Sequence, residues 1–265
     1  IVLIFLVIYS ASTMGMYFNK ALHFLFDFRI SEINSAVIID AMGHAFFTLA
    51  IGVGAMCAYG SYLPKRVSIT KSVFVIVILD VLVAICSGLA IYPVIFMHGL
   101  SAQSGPGLMF MTLPVAFSDM EGGRWLESLF FLLLLFAAWA SSINISEPMV
   151  SALSEKTSLS RVKSSVIIAI IAFIIGLMSV FSFNILSGYK IFGKFDLFTA
   201  ITDLVTNIML PIGGILFSFF AGWVMYKKQT QEALNMKGFF YSCWLFLIRI
   251  FSPICILIIL LESLF

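Results

Sequence analysis

Charge is what this sequence has least of. Only 11% of its 265 residues are Asp, Glu, Lys or Arg, while 62% are hydrophobic, and mean hydropathy is +1.12. So few charges cannot cover a water-soluble domain of this size. A soluble class is excluded, and an all-α polytopic membrane protein is indicated. The two signs nearly cancel, to a net charge of +2, and the basic residues sit in short segments between apolar runs, which excludes a nucleic-acid surface. Cysteine is equally sparse. Cys57, Cys86, Cys243 and Cys255 fall inside apolar runs with no close spacing, so neither a disulfide framework nor a metal centre is suggested. No nucleophile–base pair or metal-ligand spacing occurs, and the chain is read as not an enzyme. A starting Met and a signal-peptide head are also lacking. The chain opens at Ile1 within an apolar stretch and reads as a piece of a longer protein.

What the chain does have is long apolar runs, each near the roughly 20 residues that a bilayer demands. They predict a single transmembrane domain over 1–265. Its spans are a partial one at 1–17, then 36–63, 72–97, 125–153, 160–186, 195–226 and 238–264. Residues 18–35 read as a loop. Pro93 with His98-Gly99 reads as the end of the third span, and Pro211-Ile212-Gly213-Gly214 as a kink in the sixth. The connection 99–123 contains an apolar stretch too short to span, read as a short helix at the outer face.

Loop charge sets the orientation. Lys65, Arg66, Lys71, Lys156, Arg161, Lys163, Lys227, Lys228 and Lys237 occupy one set of loops, and Lys20, Arg29, Arg124, Lys190 and Lys194 the alternate set. Nine against five places the first set in the cytoplasm, with the chain in a plasma (inner) membrane.

The run 36–63 is the unusual one. It carries Thr48, Gly52 and Gly54 near mid-depth, where a plain anchor carries Leu and Val. Gly accepts backbone angles that break a helix, and broken backbone at membrane depth is tolerated only inside protein or along a cavity. The run therefore reads as a helix broken near 50–54, with freed backbone groups forming a binding site. The alternative is a glycine-rich packing face.

Two further features are unusual at membrane depth. Ala137, Ser141 and Ile145, four residues apart, share one helix face. Such a stripe either lets two helices approach closely or presents oxygens to a hard cation. Asp80 stands well inside an apolar span, where an ionised group costs about 2.5–3.5 kcal/mol on insertion scales. It is either functional, or hydrated and paired with a lysine such as Lys71. Glu147, before Pro148, reads as satisfying backbone groups freed by the proline.

Three stretches resemble one known family, the neurotransmitter:sodium symporters, in their bacterial amino-acid-transporting branch. Gly43-His-Ala-Phe-Phe-Thr-Leu-Ala-Ile-Gly-Val-Gly is similar to that family's unwound sixth helix. Gly105-Pro-Gly-Leu-Met-Phe-Met-Thr-Leu-Pro-Val-Ala-Phe is similar to its fourth extracellular loop. Ala137-Ala-Trp-Ala-Ser-Ser-Ile-Asn-Ile-Ser-Glu-Pro-Met is similar to its eighth helix. The resemblance covers nearly the whole chain. It implies an inverted-repeat transporter fold of five plus five helices, of which this chain carries late helix five to helix eleven. Helices one to four, which supply most contacts to a substrate carboxylate, are the missing partners.

The resemblance also implies a function and its residues. The function is sodium-coupled symport of amino acids, hydrophobic ones in particular, by alternating access. A truncated member that binds but does not move its ligand is the alternative. Sodium ions would be held by Thr48 and Asp80 at one site, and by the Ala137 carbonyl and Ser141 hydroxyl at a second. Ala140 stands where the family usually offers another oxygen, and Ser142 points about 100° away from that face. Asp80 replaces an amide, so its charge removes the need for chloride. His44 stands where chloride-dependent relatives have Gln, and is either a packing residue or a proton carrier. Phe47, Ala50, Val53, Ser141 and Ile145 would line the substrate pocket. Asp196 matches an outer gate acid, Glu155 an inner one, and Tyr62 an inner-gate aromatic. Without the family, each of these three is an ordinary interfacial residue.

Overall fold

The computed structural model describes residues 1–64, 67–99, 107–118, 122–190 and 196–264. Lys65, Arg66, Lys194 and the Gly105-Pro106 start of the second family-like stretch lie outside them. Every regular element among the described residues is helical. In chain order these are α1 (Val2–Thr13), α2 (Gly15–Phe26), α3 (Ser35–Thr48), α4 (Ala55–Tyr62), α5 (Ile69–Met97) and α6 (Leu108–Ser118). They continue as α7 (Gly123–Lys156), α8 (Arg161–Phe181), α9 (Leu197–Val224), α10 (Lys227–Leu234) and α11 (Gly238–Ser263). Helices α5, α7, α8, α9 and α11 are each long and apolar enough to cross a membrane. Helix starts carry the residues that suit them. Asn34 accepts from the Val37 amide at 3.0 Å, Ser160 from Lys163 at 3.5 Å, and Asp196 from Thr199 at 2.7 Å.

The residues group into two compact units, Ile1–Ile33 with Val75–Ser142, and Asn34–Phe74 with Ile143–Phe265. In the first unit the core is built from Leu6, Val94, Ile95, Leu113, Phe117 and Phe130 among others. Helices α1 and α2 meet at Met14 with a 118° bend. The segment after Tyr17 is therefore not a loop: α2 continues to Phe26. Asn19, Lys20 and His23 interrupt the apolar pattern there, but Phe24 and Leu25 fasten the helix to α5. Phe24 stands edge-on to Tyr92 at 4.8 Å and to Phe96 at 5.6 Å, while Lys20 lies 4.8 Å from the Phe96 ring centre. Gly88 leaves room for Leu25, since a methyl there would come within 3.2 Å of it. Pro93 does not end α5 either. It is buried inside the last turns, and the helix stops at Met97, before Gly99 takes a left-handed φ of +63°.

The second unit contains α3, α4 and α8–α11, and the ends of α5 and α7. Phe46, Leu210 and Ile256 form its apolar centre, with Val53 and Ile215 packed against them. Three prolines are accommodated in one repeated way. The amide of Leu210, just before Pro211, bonds the Val205 carbonyl, and that of Ser252, before Pro253, bonds Leu247. Leu113, before Pro114 in the first unit, likewise bonds Leu108. Each is a turn opened by one residue, which moves the carbonyl that the proline ring would strike. At the end of α9 the Arg249 side chain from α11 donates to the Gly222 carbonyl at 2.5 Å, and its guanidinium lies 4.8 Å from the Trp223 ring centre. This intramembrane cation therefore closes the negative end of a helix. Nearby, Ser218 donates to the Ile248 carbonyl at 2.7 Å, tying α9 and α11 together once more.

Candidate functional site

The second unit is organised around the gap between α3 and α4. The two helices are about 21 and 12 Å long at 1.5 Å per residue, together close to a bilayer's hydrocarbon thickness. Between them the backbone turns through left-handed angles at Ala50 (φ +49°), Gly52 (+100°) and Gly54 (+87°). Glycine takes such angles freely, while alanine loses about 1–2 kcal/mol there. Some local bonds survive the turn. Ile51 N–H reaches the Phe46 carbonyl at 3.2 Å and Ala50 reaches Phe47 at 3.0 Å. The amides of Gly52 and Gly54, and the carbonyls of Thr48, Ile51 and Gly52, take no hydrogen bond among the described residues. This is a set of aimed backbone dipoles at mid-depth, of both signs.

Two cavities flank the gap. One of about 590 Å³ is walled by α3, α4, α9 and α11 and is almost wholly apolar, with Ala50, Phe46, Met56, Phe217 and Ile248 in its lining. The other, of about 210 Å³, has His44, Thr206 and Asn207 as polar groups, with Phe47 and Pro211 among its apolar ones.

The residues singled out from sequence fall into both units. Phe47 lines the smaller cavity, Ala50 the larger, and Val53 packs on the apolar centre. The Thr48 hydroxyl donates to the Ala45 carbonyl at 3.3 Å, which leaves its lone pairs open. Ile145 belongs to the same unit. Asp80, Ala137 and Ser141 belong to the other. Asp80 is half-buried, about 16 Å along α5 from its first residue, and makes no ion pair or hydrogen bond among the described residues. Lys71, on the same helix, is therefore not its partner. On α7, the Ser142 hydroxyl is committed to the Trp139 carbonyl at 2.8 Å, whereas that of Ser141 makes no hydrogen bond among the described residues.

The gate candidates sort differently. The Tyr62 hydroxyl donates to Glu147 at 2.8 Å, Arg161 pairs with the same carboxylate, and both terminal guanidinium nitrogens stand 3.4 Å from the Tyr62 oxygen. Glu147, read from sequence as serving the Pro148 backbone, is thus the centre of a three-residue cluster joining α4, α7 and α8. Among the described residues, Glu155 accepts only a long 3.4 Å bond from Ser151. Asp196 precedes α9, and the Thr199 amide and hydroxyl hold its carboxyl below the ordinary carboxylate range. The cap is therefore intact at neutral pH and lost only as pH falls through that lowered value. Asp203, about two turns further on, was not singled out. It accepts a 3.5 Å bond from Asn207, which in turn accepts from Thr206 at 3.1 Å. The signal available in the sequence was an acid inside an apolar run.

The Tyr62–Glu147–Arg161 cluster predicts energetic coupling. In thermal denaturation of the detergent-solubilised protein, Tyr62→Phe and Glu147→Gln should be non-additive by at least about 0.5 kcal/mol, and additivity would contradict the contact.

The whole chain, residues 1–265, matches the sodium:neurotransmitter symporter family. It is 32% identical over 249 residues to YhdH, an uncharacterized sodium-dependent transporter of Bacillus subtilis, covering 92% of this chain and 54% of that protein. A Haemophilus influenzae sodium-dependent transporter is 29% identical over 239 residues, covering 89% and 52%. The fold is similar to the crystal structure of MhsT in complex with L-phenylalanine, with a TM-score of 0.86 and 31% identity over 99% of this chain and 59% of that one. The chain thus spans about half the length of the curated relatives it matches.

Proposed function

The chain belongs to the sodium:neurotransmitter symporter family, and on that premise we propose that it forms part of a sodium-coupled amino-acid symporter selective for bulky apolar side chains. The observation that carries this is the α3–α4 gap. Unpaired amides and carbonyls beside the Thr48 hydroxyl, at membrane depth, suit an ion and a zwitterion. The L-phenylalanine bound in a fold relative supports the substrate class.

In this reading Na⁺ enters as cargo. By the family resemblance alone, Thr48 and Asp80 would hold one ion, and the Ala137 carbonyl and Ser141 hydroxyl a second. Sodium is a hard cation that needs several oxygens, and the Asp80 carboxylate, without a partner among the described residues, supplies a fixed charge. Downhill entry yields about 2.3 kcal/mol per charge for each 100 mV of membrane potential. The substrate side chain would rest on Phe47, Ala50, Val53 and Ile145, and the family resemblance alone adds Ser141 at its edge. The Tyr62–Glu147–Arg161 cluster latches the cytoplasmic side, with Glu155 two turns beyond Glu147. Asp196 serves the outer gate through the carboxylate oxygen that does not cap α9. The chain sits in a plasma (inner) membrane with Lys156, Lys163, Lys227 and Lys228 in the cytoplasm. Ala140, which offers no side-chain oxygen to the second sodium site, favours a second reading: a member that binds amino acid without moving it.

Uptake of radiolabelled amino acid into proteoliposomes of the intact protein separates the two readings. Transport should require a Na⁺ gradient and survive replacement of chloride by gluconate, and a several-fold loss without chloride would contradict the role given to Asp80. Asp80→Asn should weaken the Na⁺ dependence. Binding without uptake would favour the second reading.

Substrate preference follows from the space left by Ala50 and Val53. Each buried methylene contributes about 0.8 kcal/mol, so leucine or larger should outcompete alanine by roughly 1–3 kcal/mol. Val53→Phe should hurt the largest substrate most. Equal competition by glycine or alanine would contradict this pocket.

A further inference from the structure

We propose that Gly213 and Gly214, on the α9 turn after Pro211, are positioning residues that seat the α3–α4 gap and thereby set affinity at the binding site from its far side. The proposal rests on the reading of that gap as the substrate and ion seat. Here the two chains meet backbone to backbone. A methyl added at Gly52 would strike the Leu210 carbonyl and come within 2.9 Å of the Gly214 amide nitrogen. One added at Gly213 would strike the Gly52 carbonyl and lie 3.0 Å from its carbon. One added at Gly214 would run into the Phe46 ring, 2.9 Å from Cε2, and lie 3.4 Å from Ile256. The contact is therefore reciprocal: each strand of backbone occupies the volume that a side chain on the other would need.

The placement gives the contact its consequence. Gly52 lies between Ala50 and Val53, and its amide and carbonyl are among the groups left unpaired. Phe46 is adjacent to Phe47 and closes the apolar centre with Leu210 and Ile256. Among the described residues only the long 3.4 Å bond from the Val53 amide to the Ala50 carbonyl encloses Gly52 within the gap, and its own amide and carbonyl are unpaired, so its position is set mainly by the wall it leans on. The opened turn Leu204–Met209 and Pro211 bring that wall forward immediately before the glycine pair. Moving Gly52 outward by the width of a methyl would shift the Thr48 carbonyl and the Ala50–Val53 side chains together, without removing any of them.

A glycine pair that merely packs two helices makes a different prediction from one that positions a site. Loss of packing lowers the amount of folded transporter, whereas loss of position raises the concentrations needed for half-maximal uptake. Gly214→Ala in the intact protein, reconstituted at matched protein amount, should raise the half-saturation concentrations for Na⁺ and leucine several-fold. The clash is with a ring rather than with backbone, so Phe46→Leu added to Gly214→Ala should bring both back to within about twofold of the unmodified protein. Gly176→Ala on α8, where an added methyl meets nothing within 4 Å, serves as the control and should change neither. A fall in maximal rate alone, unchanged half-saturation, or failure of Phe46→Leu to rescue would overturn the proposal. A second readout does not depend on transport. Gly213→Ala should speed amide deuterium exchange in peptides covering 49–56, even if the unmodified protein takes up nothing. That outcome would end the symporter reading and leave the seating intact, while unchanged exchange would overturn the seating and leave the symporter reading standing.

Discussion

Backbone groups that leave a helix inside a bilayer have no water to turn to, and each one left alone in hydrocarbon costs several kcal/mol. The gap from Leu49 to Gly54 opens several such groups at once. It is tolerable only because protein surrounds it: α9 closes on Gly52 through Leu210, Gly213 and Gly214, and α11 backs them with Ile256. The rest of the second unit follows from that need. Helix α9 has to present bare backbone to the gap, so it carries glycines there. It also carries Pro211, and opens a turn to fit it. Helix α11 holds α9 in place through Ser218 and through Arg249, whose charge is satisfied by the Gly222 carbonyl and the Trp223 ring.

The polar residues at depth show the same economy. Arg249, Glu147 and Asp203 each have a named partner, so their charges serve the fold. Asp80 and the Ser141 hydroxyl have none among the described residues. Unpaired polar groups on apolar helices are where a transported ion gains most, because they have been left without competing protein ligands. In the proposed reading, that contrast separates charge that holds the fold from charge that meets the ion, in a chain with very little of either.

Membrane class and helical fold were legible in composition and run length. The gap was marked by Gly52 and Gly54, since two glycines in the middle of a spanning run have few other uses. Ala50 fell within the break read at 50–54, but nothing in its type marked a positive φ, because alanine is a good helix former and only tertiary contact puts it there. Gly213 and Gly214 read as a kink, and their use as a close-approach surface depends on a segment far away in sequence. Helix α2 was hidden for the opposite reason: its polar residues break the hydropathy run, while two aromatic contacts to α5 hold it. Glu147 could be seen as an intramembrane acid. Its partners Tyr62 and Arg161, 85 and 14 residues away, had been read as a gate aromatic and a loop charge.

The central claim is that a broken helix, held open by α9, is where substrate and sodium bind. Its most direct test is a cryo-electron-microscopy structure of the intact protein in lipid nanodiscs with Na⁺ and L-leucine. The account predicts a chain still broken from Leu49 to Gly54, with the leucine side chain against Phe47, Ala50 and Val53 and ion density beside Thr48. A continuous hydrogen-bonded helix from Ser35 to Tyr62, or a leucine bound away from the gap, would contradict it.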